Sequence, residues 1–101
     1  MTQAQTAPWQ VALGKSAPAL LKEVTVVREA IMKDGALSIK TKTLMTMLCD
    51  ALLAHSSGVA TIASRARGLG ASEEEIAETV GVAFLMGGLP ALVTGASAFQ
   101  E

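Results

Sequence analysis

The side chains able to move a proton or attack an electrophile gather between positions 43 and 58 of this 101-residue chain. His55 is the single histidine and Cys49 the single cysteine. Thr43, Thr46 and Asp50 stand at i, i+3 and i+7, a spacing that lines them up as one polar stripe on an otherwise apolar helix. An aspartate on such a helix is costly unless it is paired or hydrogen-bonded. Asp50 and His55 are five residues apart, and a continuous helix would turn them about 140° away from each other. They meet only if the chain turns near Ala54 or if they come from different subunits, and Ser56, Ser57 and Gly58 are residues suited to a turn. One reading of this stretch is an Asp50–His55 general acid–base pair in a small pocket, with Thr43, Thr46, Ser56 or Ser57 binding substrate. The other is structural: Asp50 accepts from N–H groups at the start of the next helix, and His55 caps the end of its own.

Other chemistry is less well supported. Cys49 repeats with Met45 and Leu52 at core spacing, which predicts a buried thiol behaving as a small apolar side chain. Its alternative is a one-cysteine peroxidase site. Asp50 and His55 are too few ligands for a metal unless three-fold assembly gathers more, so no metal is expected. No motif calls for a cofactor. "GLPALVTG" lacks the lysine and glycine spacing of a phosphate loop. Ser56 and Ser57 lack the G-x-S-x-G context of a serine hydrolase. Glu73, Glu74 and Glu75 read most simply as a solvated helix start.

These residues must be held by a small, oily scaffold. Half of the chain is apolar and only 17% is charged, more apolar surface than a monomer of this length readily hides. The longest apolar stretches, 44–54 and 76–94, are interrupted by Asp50 in the first and by Glu78, glycines and Pro90 in the second. A membrane span of about 20 apolar residues is therefore not expected, and cover by copies of the same chain is. The opening "MTQAQTAPWQ" has neither the basic nor the apolar region of a secretory signal. With a lone cysteine, this fits a reducing cytoplasm. A net charge of −1, with aromatics at 3%, does not suit nucleic-acid binding.

Punctuation by glycine, serine and proline divides the chain into helices, and no segment alternates at period two, so an all-α fold of about five helices is expected. Residues 1–15 read as a flexible arm docked through Trp9, and residues 16–101 as one helical domain. Ser16 is expected to cap a helix with Leu20, Leu21, Val24, Val27 and Ile31 on one face. Ser38 should cap a second, about 39–54, whose apolar residues go most of the way round and predict burial on most sides. A third runs about 57–68 with Val59, Ile62, Ala63 and Ala66 inward. "SEEEIAE" is a capping box of Ser72 and Glu75 opening a fourth helix, which stops at Gly87-Gly88. Pro90 then suits the first turn of a fifth, ending near Ala98.

Three of these stretches carry a family resemblance. "DGALSIKTKTLMTM" is similar to a helix start of the form "ALDPKTRELIAL", "RARGLGASEEEIAETV" to "ALEAGATREEIAEAL", and "VAFLMGGLPAL" to "VLMGGGPAL". In this order, over about residues 18–98, the sequence resembles the carboxymuconolactone decarboxylase and alkylhydroperoxidase D superfamily. The resemblance implies an all-helical fold with a central helical hairpin, assembled into oligomers, often trimers or hexamers. It also exposes departures. The redox branch uses a glutamate, twelve residues on a Cys-x-x-Cys, and a histidine four residues after the second cysteine. Those positions are Thr43, His55, Gly58 and Ile62 here. Dithiol chemistry needs one thiolate to attack and a second to resolve, which a lone Cys49 does not supply. Ile62 also leaves out the histidine of the lactone-decarboxylase branch. Three functions follow as expectations: proton transfer on, or binding of, a small carboxylated or lactone-like molecule near Asp50 and His55; a non-catalytic oligomeric scaffold or ligand-binding protein; and a weak one-cysteine alkylhydroperoxidase through Cys49.

Overall fold

The structure, a computed structural model, describes residues 7–100. It is all-α: helices α1 (Pro8–Ser16), α2 (Pro18–Met32), α3 (Ile39–Leu52), α4 (Ser56–Gly68) and α5 (Glu73–Gly95), closed by a 3-10 turn at Ala96–Phe99. No strand occurs among the described residues. The chain divides between Lys33 and Asp34 into two compact units.

In the first unit, residues 8–16 are helical rather than an arm. Pro8 takes the first helical position, where its missing N–H costs little, and the Gln10 side chain accepts a hydrogen bond from the Ala7 N–H at 2.8 Å. The first six residues of the expected arm lie outside the described residues. Trp9 docks within this unit, with the Arg28 guanidinium 5.4 Å from its ring centroid. Ser16 does not cap α2; it is the last residue of α1, and Ala17 makes the joint, donating its N–H to the Leu13 carbonyl at 2.7 Å. The apolar face read on α2 is present, but none of its residues is buried.

The second unit holds the core. Ser38 caps α3 as its position predicts, its hydroxyl accepting from the Thr41 N–H. The buried apolar side chains of its α-helices are Met47 and Ala51 of α3, Val59, Ala63 and Ala66 of α4, and Ile76, Val80, Ala83 and Ala91 of α5. Alanines dominate, so the helices approach closely. The expectation that α3 is buried on most sides is not met. Only Thr43, Met47 and Ala51 are buried, a narrow i, i+4, i+8 seam, because α4 and α5 are the helices packed against it. Met45, Cys49, Leu52 and Leu53 stay exposed.

The capping box at Ser72 forms both bonds, Ser72 Oγ accepting from the Glu75 N–H at 3.0 Å and Glu75 accepting from the Ser72 N–H at 2.8 Å. By length and composition alone, the segment Glu73–Phe99 would suffice to cross a membrane. Its geometry is different. Gly88, at φ 76° and ψ −165°, leaves helical space, and Gly95 comes so close to Val80 that a Cβ there would lie 2.9 Å from Val80 Cγ1. Fifteen residues of straight helix would hold these two about 22 Å apart. The chain therefore reverses at Gly88, and residues 73–87 and 89–95 form two arms of a hairpin. The expected boundary at Gly87-Gly88 is where it breaks, with Pro90 in the first turn of the second arm.

The acidic triplet lies at the surface as expected, and two of its members are also ion-paired. Glu73 pairs with Arg67 at 2.6 Å, and Glu75 with Lys40 of α3 at 2.9 Å. Arg67 also donates to the Ala98 carbonyl at 2.9 Å, tying the closing turn to α4. Both carboxyls are held below the ordinary glutamate value of 4.5, Glu73 chiefly by the Arg67 hydrogen bond and Glu75 first by the Ser72 N–H and then by Lys40. A carboxyl so lowered favours the folded state fully above its ordinary value and loses that contribution as pH falls through 4.5 and below. We expect the melting temperature to fall between about pH 5 and about pH 3. In the Glu73→Gln/Glu75→Gln double variant that fall becomes shallower, as thermal melts across the pH series will read.

Candidate functional site

The site is built by the way α3 ends. After Leu52 the chain runs through Leu53 to Ala54, which adopts the left-handed conformation at φ 64°. Among the described residues, no other non-glycine residue has a positive φ. The His55 N–H then reaches back to the Asp50 carbonyl at 2.9 Å and the Ala54 N–H to the Ala51 carbonyl at 3.4 Å. This is the helix-terminating motif in which a left-handed residue lets the last carbonyls be satisfied. The end of α4 uses it too, with Gly70 at φ 97°, the Ala71 N–H on the Ala66 carbonyl at 2.9 Å and the Gly70 N–H on the Arg67 carbonyl at 3.0 Å.

The motif commonly brings an apolar side chain of the last turn against the residue just past the left-handed position. At the end of α4 those two residues are Ala66 and Ala71, both buried. At the end of α3 they are Asp50 and His55. The turn that elsewhere closes a greasy contact here sets a carboxylate against an imidazole, with Asp50 Oδ1 3.2 Å from His55 Nδ1. The structure thus brings together within one chain the two residues that a continuous helix would have kept apart. The ring is 59% exposed and the carboxylate side chain 26%.

An ionised carboxylate only accepts, so a neutral ring paired with one donates from Nδ1 and keeps its lone pair on Nε2. The structural alternative takes another form than expected. His55 stands at the start of α4 and its carbonyl accepts from the Val59 N–H, but its ring caps neither helix. The Asp50 carboxylate lies against Gly58 in the first turn of α4.

The remaining candidates scatter. Thr43 is 1% exposed and its hydroxyl donates to the Ile39 carbonyl at 2.7 Å, so it belongs to the core. Thr46, half-buried one turn before Asp50, donates to the Thr43 carbonyl at 2.7 Å. Ser56 and Ser57 are exposed on the first turn of α4, beside the pair in sequence. Cys49 is exposed, not buried: its helix face looks away from the Thr43–Met47–Ala51 seam. Among the described residues no group of three or more His, Cys, Asp or Glu side chains gathers as metal ligands would. The sequence reading missed an open groove of about 350 Å³ between α3 and α5, lined by Leu44, Leu48, Glu75, Glu78 and Val82 among others; it does not include the pair. The i, i+4 spacing of Leu44 and Leu48, against the acidic first turn of α5, was its only sequence signal.

Comparison with known proteins agrees with this fold. The family model described as the carboxymuconolactone decarboxylase family matches residues 18–101. The chain is similar, at 32% identity and a TM-score of 0.83, to the apo crystal structure of a carboxymuconolactone decarboxylase family protein from Legionella pneumophila, with 89% of this chain and 80% of that one covered. No curated protein matches.

The left-handed Ala54 leads to a prediction. Its Cβ is strained where glycine's absence of one is not, while glycine loosens the unfolded chain. Ala54→Gly is expected to stabilise by about 0.5–1 kcal/mol and to raise the melting temperature by a few degrees in thermal denaturation; an unchanged or lower value would mean that the turn is not left-handed there.

Proposed function

The chain belongs to the carboxymuconolactone decarboxylase family, and from that premise we propose that Asp50 and His55 are its working pair, moving a proton on a small carboxylated or lactone-like molecule without dithiol peroxidase chemistry. The observation that carries this reading is the 3.2 Å approach of Asp50 Oδ1 to His55 Nδ1. A carboxylate on Nδ1 fixes the ring's tautomer and orientation and stabilises the imidazolium that forms when the other nitrogen takes a proton. His55 Nε2 is the base: it accepts a proton from a carbon acid or from water and returns it to the product. Asp50 carries the compensating charge. Ser56 and Ser57, exposed on the adjacent turn, supply hydroxyls for substrate oxygens. Thr46 is a further candidate, whereas the burial of Thr43 makes it scaffold. The positions that hold a glutamate, two cysteines and a histidine in the redox branch hold Thr43, His55, Gly58 and Ile62 here, so electron chemistry has no paired thiols to run on.

A second reading, a non-catalytic oligomeric scaffold or ligand-binding protein, is favoured by the exposure of the imidazole and by the apolar surface left open on α5, where Leu85 is 77% exposed and Met86 and Leu89 are similarly bare. In either reading the chain associates with copies of itself, as a trimer or hexamer in the cytoplasm, because burying large aliphatic side chains is worth about 1.5–3 kcal/mol each. The exposed thiol of Cys49 favours a third, one-cysteine peroxidase activity.

One experiment separates them. Small lactones and carboxylic acids with acidic C–H bonds are incubated with the protein in D2O, following deuterium uptake and carbon dioxide release. We expect turnover in the native chain, a loss of about 10²-fold or more in His55→Ala and Asp50→Asn, and none in Cys49→Ser. Inertness of the native chain across the panel, with light scattering showing an oligomer, would replace this reading by the scaffold. Peroxide turnover abolished by Cys49→Ser would replace it by the third.

A further inference from the structure

Gly58 stands in the first turn of α4, where neither a turn nor a positive φ requires glycine and where helix propensity disfavours it. A Cβ built there would lie 2.5 Å from Asp50 Oδ2, 2.9 Å from Asp50 Cγ and 3.4 Å from Asp50 Oδ1. Real Cβ atoms do not approach other atoms at the first two distances. The space a side chain would fill is taken by the carboxylate that meets His55.

We infer that Gly58 is a positioning residue for the Asp50–His55 pair: it leaves open the slot in which the carboxylate must lie to reach Nδ1. The inference rests on the proposed pair. It extends that reading, because it couples three positions that the sequence lists separately. A left-handed turn at Ala54 brings His55 back toward α3, and the missing side chain at 58 lets Asp50 swing onto the first turn of α4. Residue 58 is also the place of the second thiol in the redox branch. A cysteine there would bring the same Cβ into the same carboxylate, so in this geometry the chain holds either a side chain at 58 or the acid–base pair. The obstructing atoms are the end of a side chain. A substitution at 58 therefore displaces Asp50 and leaves the helices standing.

The chain's only imidazole makes the test unambiguous. Long-range 1H–15N spectra at a pH where the ring is neutral identify which nitrogen bears the proton. In the native chain we expect the proton on Nδ1, and Asp50→Asn, as control, defines the ring without its carboxylate partner. Gly58→Ala is expected to give the Asp50→Asn signature while its circular dichroism and cooperative melt stay native-like, which a merely structural role for Gly58 would not produce. Gly58→Ser, with the same Cβ and a residue suited to a first helical turn, repeats the test. Retention of the native signature in both variants would overturn the positioning role and leave the pair intact; a native chain already showing the Asp50→Asn signature would bring down the pair itself.

Discussion

Everything at the site follows from a non-glycine residue in the left-handed region. Ala54 at φ 64° ends α3 in a closed turn whose two reverse hydrogen bonds reach Asp50 and Ala51. An alanine in that conformation costs about 1–2 kcal/mol, and the pairing it permits is the hydrogen bond of the histidine ring with Asp50. Had α3 continued, Asp50 and His55 would point about 140° apart. Backbone geometry, more than side-chain reach, decides whether these residues interact.

The rest of the second unit packs the helices on either side of that turn. Met47 and Ala51 anchor the inner edge of α3, Val59 and Ala63 the inner edge of α4, and the alanine-rich packing lets the hairpin of α5 press against both. Gly87 takes part, since a Cβ there would collide with the Leu52 side chain at 2.7 Å. So the last turn of α3 is wedged between α5 and the start of α4. The ion pairs of Lys40 with Glu75 and Arg67 with Glu73 lie at the far end of the same helices. Both carboxylates are open to solvent, where water and salt screen such pairs, so they add little to stability. Fold and chemistry thus separate: the scaffold is that of the family, while the proposed activity rests on Asp50 and His55.

Much of this was legible in the residues. Ser38 and the Ser72–Glu75 box mark helix starts by a local hydrogen-bonding rule that tertiary context rarely overrides, and both hold. Gly87-Gly88 and Pro90 marked the break in α5, though not that the chain doubles back there. The turn needed for Asp50 and His55 to meet could be named as a condition and not as a fact, because Ala54 carries no signature of a left-handed residue in the way that Gly70 does. The helix at 8–16 was missed because Pro8 and Gln10 fall in the stretch read as a flexible arm. Burial was read least well. Leu52, Leu53 and Cys49 have core-like chemistry and spacing, yet they sit outside the seam in a single chain. Periodicity reports that a face is apolar and is silent on what covers it.

The pairing of Asp50 with His55 is the claim from which the rest follows, and the carboxylate carbon of Asp50 reports on it directly. Its 13C shift, compared at one fixed pH between the native chain and His55→Gln, is predicted to differ, because replacing the ring removes the group that Oδ1 meets at 3.2 Å. Identical shifts in the two chains would contradict the pair and the function built on it.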